Sequence, residues 1–111
     1  MKTQTRNAGK VTILDLEGPL VLGEAEQSLR SSVQQLLDAG VKNLAINLAG
    51  VEKLDSSGIG ALVRVFSLFK KAGGNCKCYA APKNVKQILR MVQVDTLLDL
   101  AEDEAAALAK F

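Results

Sequence analysis

The chain has 111 residues, of which 48% are apolar, and this is enough for one compact domain with its own core. Its 14 basic and 12 acidic residues leave a formal charge of +2 and are spread along the chain without a basic block. The aromatic residues are three phenylalanines and one tyrosine, so the basic and aromatic patches of a nucleic-acid-binding protein are missing. We therefore expect a single domain over residues 1–111 that does not bind nucleic acid.

Targeting signals and metal-ligand motifs are also missing from the sequence. Residues 1–10 carry charge but are followed by no apolar run of signal-peptide length, and no window approaches a membrane span. Cys76 and Cys78 would share one face of a strand, as core thiols do, and the chain has no histidine to complete a zinc site. We expect a cytoplasmic protein without membrane insertion, cofactor or metal.

The first half of the chain predicts two short strands, a helix and a buried strand. Residues 11–16 (VTILDL) and 20–22 (LVL) are β-type runs separated by a Glu-Gly-Pro turn signal, which indicates a hairpin-like start. Over residues 24–39 apolar side chains recur at helical spacing, and Gly40 is able to end this helix. Residues 43–48 (NLAINL) form a nearly continuous apolar run, typical of a parallel strand covered on both faces.

The second half continues the alternation of strands and helices. In chain order it predicts a helix over 56–71, a strand over 76–80, a helix around 84–92, a short apolar run over 97–100 and a C-terminal helix opened by residues 102–104. This pattern predicts an α/β domain with a mixed, mostly parallel sheet of four to five strands and four helices.

The stretch LDSSGIGAL, residues 54–62, places two hydroxyl groups at a strand-to-helix junction. A nucleophile elbow reads Gly-x-Ser-x-Gly, whereas the residues two positions before these serines are a leucine and an aspartate. The chain has no histidine to take a serine proton and no P-loop sequence. Residues 58–60 supply two glycines of a dinucleotide fingerprint, but Val63 stands where the third belongs. The motif favours a non-enzymatic role, with weak nucleotide binding or hydrolysis as the alternative.

The helix that follows this motif has two apolar sides. Asp55 or Ser56 is expected to cap it, for about 1 kcal/mol, which leaves Ser57 as a spare hydroxyl. At about 100° per residue, the core stripe of this helix consists of Ile59, Leu62, Val63, Phe66 and Phe69. A second apolar stripe lies on the side of Ser57 and comprises Ala61, Val65, Leu68 and Ala72. This second stripe predicts either a contact with a neighbouring helix or a surface for another protein, with Arg64 beside it.

The motif Asp55-Ser56-Ser57-Gly58-Ile59-Gly60 after a buried strand resembles the signature of the STAS domain, specifically of bacterial anti-sigma factor antagonists. The similarity covers most of the chain and includes residues 44–51, the glycine break at 73–74 and residues 82–98. The resemblance implies a non-enzymatic switch that binds an anti-sigma factor, itself a serine kinase, and so frees a sigma factor to regulate transcription. It also implies that the second serine of the pair, Ser57, is phosphorylated and that a serine phosphatase resets the switch.

The predicted partner-binding residues surround this serine pair and comprise Asp55, Ser56, Ser57, Gly58, Ala61, Arg64, Val65 and Leu68. A phosphate adds a charge of about −1.5 to −2, which would cancel most of the formal charge of the chain. Beside an apolar stripe, it would also place a desolvated charge in any partner contact. STAS domains also serve stress-signalling scaffolds and lipid-transport complexes, so an accessory or scaffold subunit is the alternative function.

Overall fold

A four-stranded sheet with the strand order β1-β2-β3-β4 forms the centre of the computed structural model, which describes residues 1–111. Its strands are β1 (Lys2–Ala8), β2 (Val11–Glu17), β3 (Asn43–Gly50) and β4 (Asn75–Tyr79). β1 runs antiparallel to β2, whereas β2, β3 and β4 pair in parallel. The chain is therefore an α/β domain with a mixed, mostly parallel sheet, as predicted.

The opening hairpin lies earlier in the chain than the sequence predicts. β1 and β2 pair along their full length and are joined by a turn in which Gly9 adopts a φ of +63°. Residues 20–22 form no strand, and Leu20 makes an isolated bridge to Leu54. The predicted hairpin of residues 11–16 with 20–22 is therefore wrong. β1 escapes a search for apolar alternation because both of its faces carry mainly polar side chains, KTQTRNA.

All four predicted helices are present: α1 (Glu24–Asp38), α2 (Ser56–Lys71), α3 (Lys83–Met91) and α4 (Glu104–Leu108). α4 begins after Asp103, whose side chain accepts a hydrogen bond from the Ala106 amide at 2.8 Å. The apolar run over 97–100 forms no strand, but Ala101 directly after it makes an isolated parallel bridge to Tyr79. None of the helices combines the length and the apolar character that a bilayer crossing requires.

Two apolar clusters cover the two faces of the sheet. The larger one contains 20 buried residues and joins the sheet to α1, α2 and α3, with Phe69 fully buried. The smaller one lies on the opposite face beneath α4 and comprises Val11, Ile13, Ala45, Tyr79, Ala101 and Ala107. Ala45 and Ile46 are consecutive in β3 and belong to different clusters, so this strand is covered on both sides, as predicted. Cys76 and Cys78 lie in the larger cluster as core thiols, and burial raises the pKa of Cys76 to about 12.

Polar side chains fasten α4 to the second face of the sheet. The Arg6 guanidinium in β1 donates hydrogen bonds to the carboxylates of Asp15 and Glu104. The Tyr79 hydroxyl donates to Glu104 at 2.9 Å, and the Asn47 amide donates to Asp15 at 2.8 Å. The hydrogen bonds from Arg6 lower the pKa of both carboxyl groups, while burial raises the pKa of Tyr79 above its ordinary value. α4 is thus held by an ion pair at its first residue as well as by apolar contacts.

Candidate functional site

The serine pair Ser56-Ser57 stands at the start of α2, beyond the carboxyl ends of β2 and β3. Between β3 and α2, Leu54 pairs with Leu20 in a parallel bridge. Leu20 belongs to residues 18–23, here called the β2–α1 loop. Because parallel strands gather their following loops along one edge of a sheet, this loop and the first turn of α2 form one corner of the molecule.

Asp55 fixes the first turn of α2. Its backbone is extended, with φ −111° and ψ −176°, and its Oδ1 accepts a hydrogen bond from the Gly58 amide at 2.8 Å. This is the geometry of an N-cap, which is typically worth about 1 kcal/mol. The sequence leaves the cap to Asp55 or Ser56, and the structure assigns it to Asp55.

The same carboxylate makes a second hydrogen bond that sequence reasoning missed. Its Oδ2 accepts the Leu22 amide of the β2–α1 loop at 3.0 Å, across 33 positions of the chain. The amides of Gly58 and then Leu22 lower the pKa of Asp55, so the carboxyl group is ionised at neutral pH. No local sequence pattern predicts this bond, because the parallel pairing of β2 with β3 is what brings Leu22 close to Asp55.

Ser56 and Ser57 are the first two residues of α2, and their hydroxyl groups do not hold the helix in place. The side-chain hydrogen bonds at this helix start are those of Asp55. Ser56 is exposed, whereas Ser57 is half-buried. Both hydroxyl groups are therefore free for modification without the loss of a hydrogen bond within the chain, and Ser56 is the more accessible of the two.

Gly58 lies where α2 and the β2–α1 loop come into close contact. It is buried, and a Cβ atom at this position would lie 2.2 Å from the Leu20 carbonyl oxygen and 2.8 Å from Leu54 Cδ1. The sequence predicts Gly58 as a partner contact, but the structure places it inside. Its missing side chain lets the helix approach the loop, and this is the role that the structure supports.

The second apolar stripe of α2 faces α1. Ala61 is 5% exposed and Val65 is 3% exposed, and both belong to the same buried cluster as Leu29 and Val33 of α1. Leu68 is half-buried and packs against the same cluster. The expectation that Ala61 and Val65 form an open partner surface is therefore corrected in favour of its alternative, a contact with a neighbouring helix.

Arg64 stays on the open side of α2. Its Nη1 lies 3.4 Å from Glu26 Oε1, which also pairs with Arg30 at 2.7 Å. Because both arginines are exposed, these pairs contribute little to stability. Arg64 follows Ser57 by two helical turns and lies along the same side of α2. The predicted site residues at the surface are thus Asp55, Ser56, Ser57 and Arg64.

The family model of the STAS domain matches residues 2–107, so the chain belongs to the STAS domain family. The family resemblance seen in the sequence is thereby confirmed, and the fold agrees with it.

Solved structures with a similar fold include anti-sigma factor antagonists. One from Mycobacterium paratuberculosis is 19% identical, with a TM-score of 0.86 over 98% of this chain and 92% of that chain. A candidate antagonist from Thermotoga maritima is 18% identical, with a TM-score of 0.89 over 97% of this chain and 92% of that chain. SpoIIAA of Bacillus, a cell fate determinant, in its phosphorylated form is 14% identical, with a TM-score of 0.73 over 98% of both chains. At these identities the similarity establishes the fold.

Proposed function

We propose that this protein is an anti-sigma factor antagonist that acts in the cytoplasm as a phosphorylation-controlled switch. In its unphosphorylated form it binds an anti-sigma factor that is also a serine kinase, and so frees a sigma factor for transcription. A serine phosphatase returns the modified protein to the binding form. The observation that carries the proposal is the pair of free serine hydroxyls at the capped start of α2 in a STAS domain.

The electrostatics of the helix start suit such a switch. The N-terminal end of a helix tolerates a phosphate, by about 0.3–1 kcal/mol, so the modified chain keeps its fold. The ionised Asp55 carboxylate stands directly beside the serine pair, and the added phosphate therefore concentrates negative charge at this corner. A partner that packs onto the corner would have to desolvate that charge.

Two serines compete for the phosphate. The family resemblance assigns it to Ser57, which shares a side of α2 with Arg64. Ser56 is the competing acceptor because it is the more exposed. The proposed partner surface contains both serines together with Asp55 and Arg64, and Leu68 lies at its border.

The test uses each candidate serine-kinase anti-sigma factor of the same genome, purified and incubated with the protein and ATP. Mass spectrometry of wild type, Ser56→Ala and Ser57→Ala then locates the phosphate. We expect it on Ser57 and expect it to be lost in Ser57→Ala alone. Phosphate on Ser56 would move the assignment to the exposed serine, and no phosphate in any mixture would contradict the switch.

Binding to the same kinases distinguishes the switch from its alternatives. We expect phosphorylation to weaken binding by at least about tenfold, since a desolvated charge in the contact costs more than 1.4 kcal/mol. Equal binding of both forms would instead indicate an accessory or scaffold subunit. Steady hydrolysis of ATP or GTP by the pure chain, lost in Ser57→Ala, would contradict a non-enzymatic role.

A further inference from the structure

The Asp55 carboxylate connects the start of α2 with an exposed apolar side chain of the β2–α1 loop. We propose that Asp55 couples phosphorylation of the serine pair to the position of Leu22, so that the phosphate releases Leu22 as well as adding charge. This inference rests on the proposed function, because it takes the phosphate to be attached at Ser56 or Ser57. It holds for either acceptor, since both adjoin the cap.

Leu22 and Leu20 are held in different ways, although both belong to the β2–α1 loop. Leu20 is fully buried, and its amide donates to the Lys53 carbonyl oxygen at 2.9 Å. Leu22 is 71% exposed, and its amide donates to the Asp55 side chain. Gly23, directly after it, adopts a φ of +108°. The part of the loop that carries Leu22 therefore depends on Asp55, whereas the part that carries Leu20 depends on the core and on a backbone bond.

Both oxygens of the Asp55 carboxylate are in use. Oδ1 holds the Gly58 amide at 2.8 Å and Oδ2 holds the Leu22 amide at 3.0 Å. Hydrogen bonds to an ionised acceptor are stronger than neutral ones, so this one group fixes the loop against the helix. An Asp55 that is protonated or turned away would leave the Leu22 amide without its acceptor.

A phosphate on either serine acts on this carboxylate in two ways. Its negative charge repels the ionised Asp55 carboxylate at close range and so favours turning that side chain away from the helix start. Its oxygens also compete for the amides of the first helical turn, which attract anions. The Gly58 amide has a second acceptor once the phosphate is present, but the Leu22 amide lies in the loop and has none. If the phosphate displaces the Asp55 carboxylate, the Gly58 amide therefore keeps an acceptor, whereas the Leu22 amide loses the one that it has and becomes unprotected.

The experiment measures amide exchange by NMR in protein that carries phosphoserine introduced during translation at position 56 or 57, so that no kinase is needed. We expect the Leu22 amide to exchange about tenfold faster in the phosphorylated chain, as for the local loss of one hydrogen bond. The Leu20 amide serves as the internal control and should be unchanged. Unchanged exchange at Leu22 would overturn the proposal, and so would equal acceleration at Leu20, which would indicate that the whole loop detaches.

Asp55→Ser tests the coupling without any phosphate. Serine is a good cap and keeps one oxygen for the Gly58 amide, but it lacks the second oxygen that reaches Leu22. We expect fast exchange at Leu22, protection at Gly58, and no further acceleration at Leu22 when phosphoserine is added. Acceleration by phosphoserine in Asp55→Ser would show that the effect bypasses Asp55. A kinase that binds both forms equally would contradict the proposed function while leaving these exchange rates as a separate result.

Discussion

At the scale of single residues, the start of α2 depends on one acceptor group and on one missing side chain. Asp55 holds the amides of Gly58 and Leu22 with its two carboxylate oxygens. Gly58 allows the helix to approach the Leu20 carbonyl more closely than a side chain would permit. Together they set the position of the serine hydroxyls relative to the β2–α1 loop.

Two glycines of α2 should respond in opposite directions to the same substitution. In Gly58→Ala the new methyl group would lie 2.2 Å from a backbone oxygen, so we expect destabilisation by about 1–3 kcal/mol. Apart from its chain neighbours and the backbone of its own helix, Gly60 has no atom within 4 Å of its Cβ position, and Gly60→Ala should stabilise the helix by about 0.5–1 kcal/mol. Urea unfolding of both variants measures the two changes. A stable Gly58→Ala variant would contradict the close contact with Leu20.

At the scale of elements, the packing of α2 against α1 decides which side of α2 is open. The sequence predicts a core stripe of Ile59, Leu62, Val63, Phe66 and Phe69, and this is only partly right. Leu62 and Phe69 are fully buried, but Ile59, Val63 and Phe66 are only half-buried. The structure buries Ala61 and Val65 against α1, whereas the Arg64 side chain is exposed to solvent. The proposed partner surface is therefore limited to the first turn of α2 and its polar side.

Neighbouring positions on α2 should separate the buried side from the open side. Val65→Ala removes methyl groups from the α1–α2 contact, and we expect it to destabilise the domain by about 2 kcal/mol. Arg64→Ala removes an exposed side chain with a 3.4 Å ion pair and should change stability by less than about 0.5 kcal/mol. Thermal unfolding of both variants is the measurement. Equal effects would show that Val65 is not held between the helices.

At the scale of the whole molecule, α4 closes the second face of the sheet. Ala107 belongs to the smaller apolar cluster, and Glu104 is bound by Arg6 and by the Tyr79 hydroxyl. The network joins the first strand, the last strand and the last helix, although these segments are far apart in the chain. Its state can be followed directly, since Tyr79 is the only tyrosine and the chain has no tryptophan.

Spectrophotometric titration should show that the pKa of Tyr79 is raised, because α4 covers this side chain on the second face of the sheet. Burial, and then the hydrogen bond to Glu104, raises the pKa of Tyr79 above the ordinary value of about 10. The folded chain holds this proton at a pH where the unfolded chain has lost it, so stability should fall as the pH rises above about 10. Glu104→Gln removes the adjacent negative charge and should lower the midpoint. Glu102→Gln, whose carboxylate pairs with Lys86, should not change it.

Much of this architecture follows from local patterns in the sequence. Apolar periodicity predicts α2 over residues 56–71 because one stripe of that helix must face the sheet. The continuous apolar run at 43–48 predicts a strand covered on both faces, because successive side chains of a strand point to opposite faces and here both sets are apolar. Asp55 and Ser56 at the start of α2 predict a side-chain cap, because helix amides need an acceptor. These features depend on residues that are neighbours in the chain.

Only the tertiary structure decided where β1 pairs, which side of α2 is open and what Asp55 holds. β1 is polar on both faces, so its place in the sheet comes from pairing with β2 and not from apolar alternation. The apolar side chains of Ala61 and Val65 could line a partner surface or a core, and it is the packing of α1 against α2 that buries them. The Asp55–Leu22 bond joins residues 33 positions apart, and the parallel pairing of β2 with β3 brings them together. Apolar periodicity in the sequence predicts which side chains a single helix or strand buries. Contacts between elements that are distant in the chain depend instead on how the strands pair and how the helices pack on the sheet.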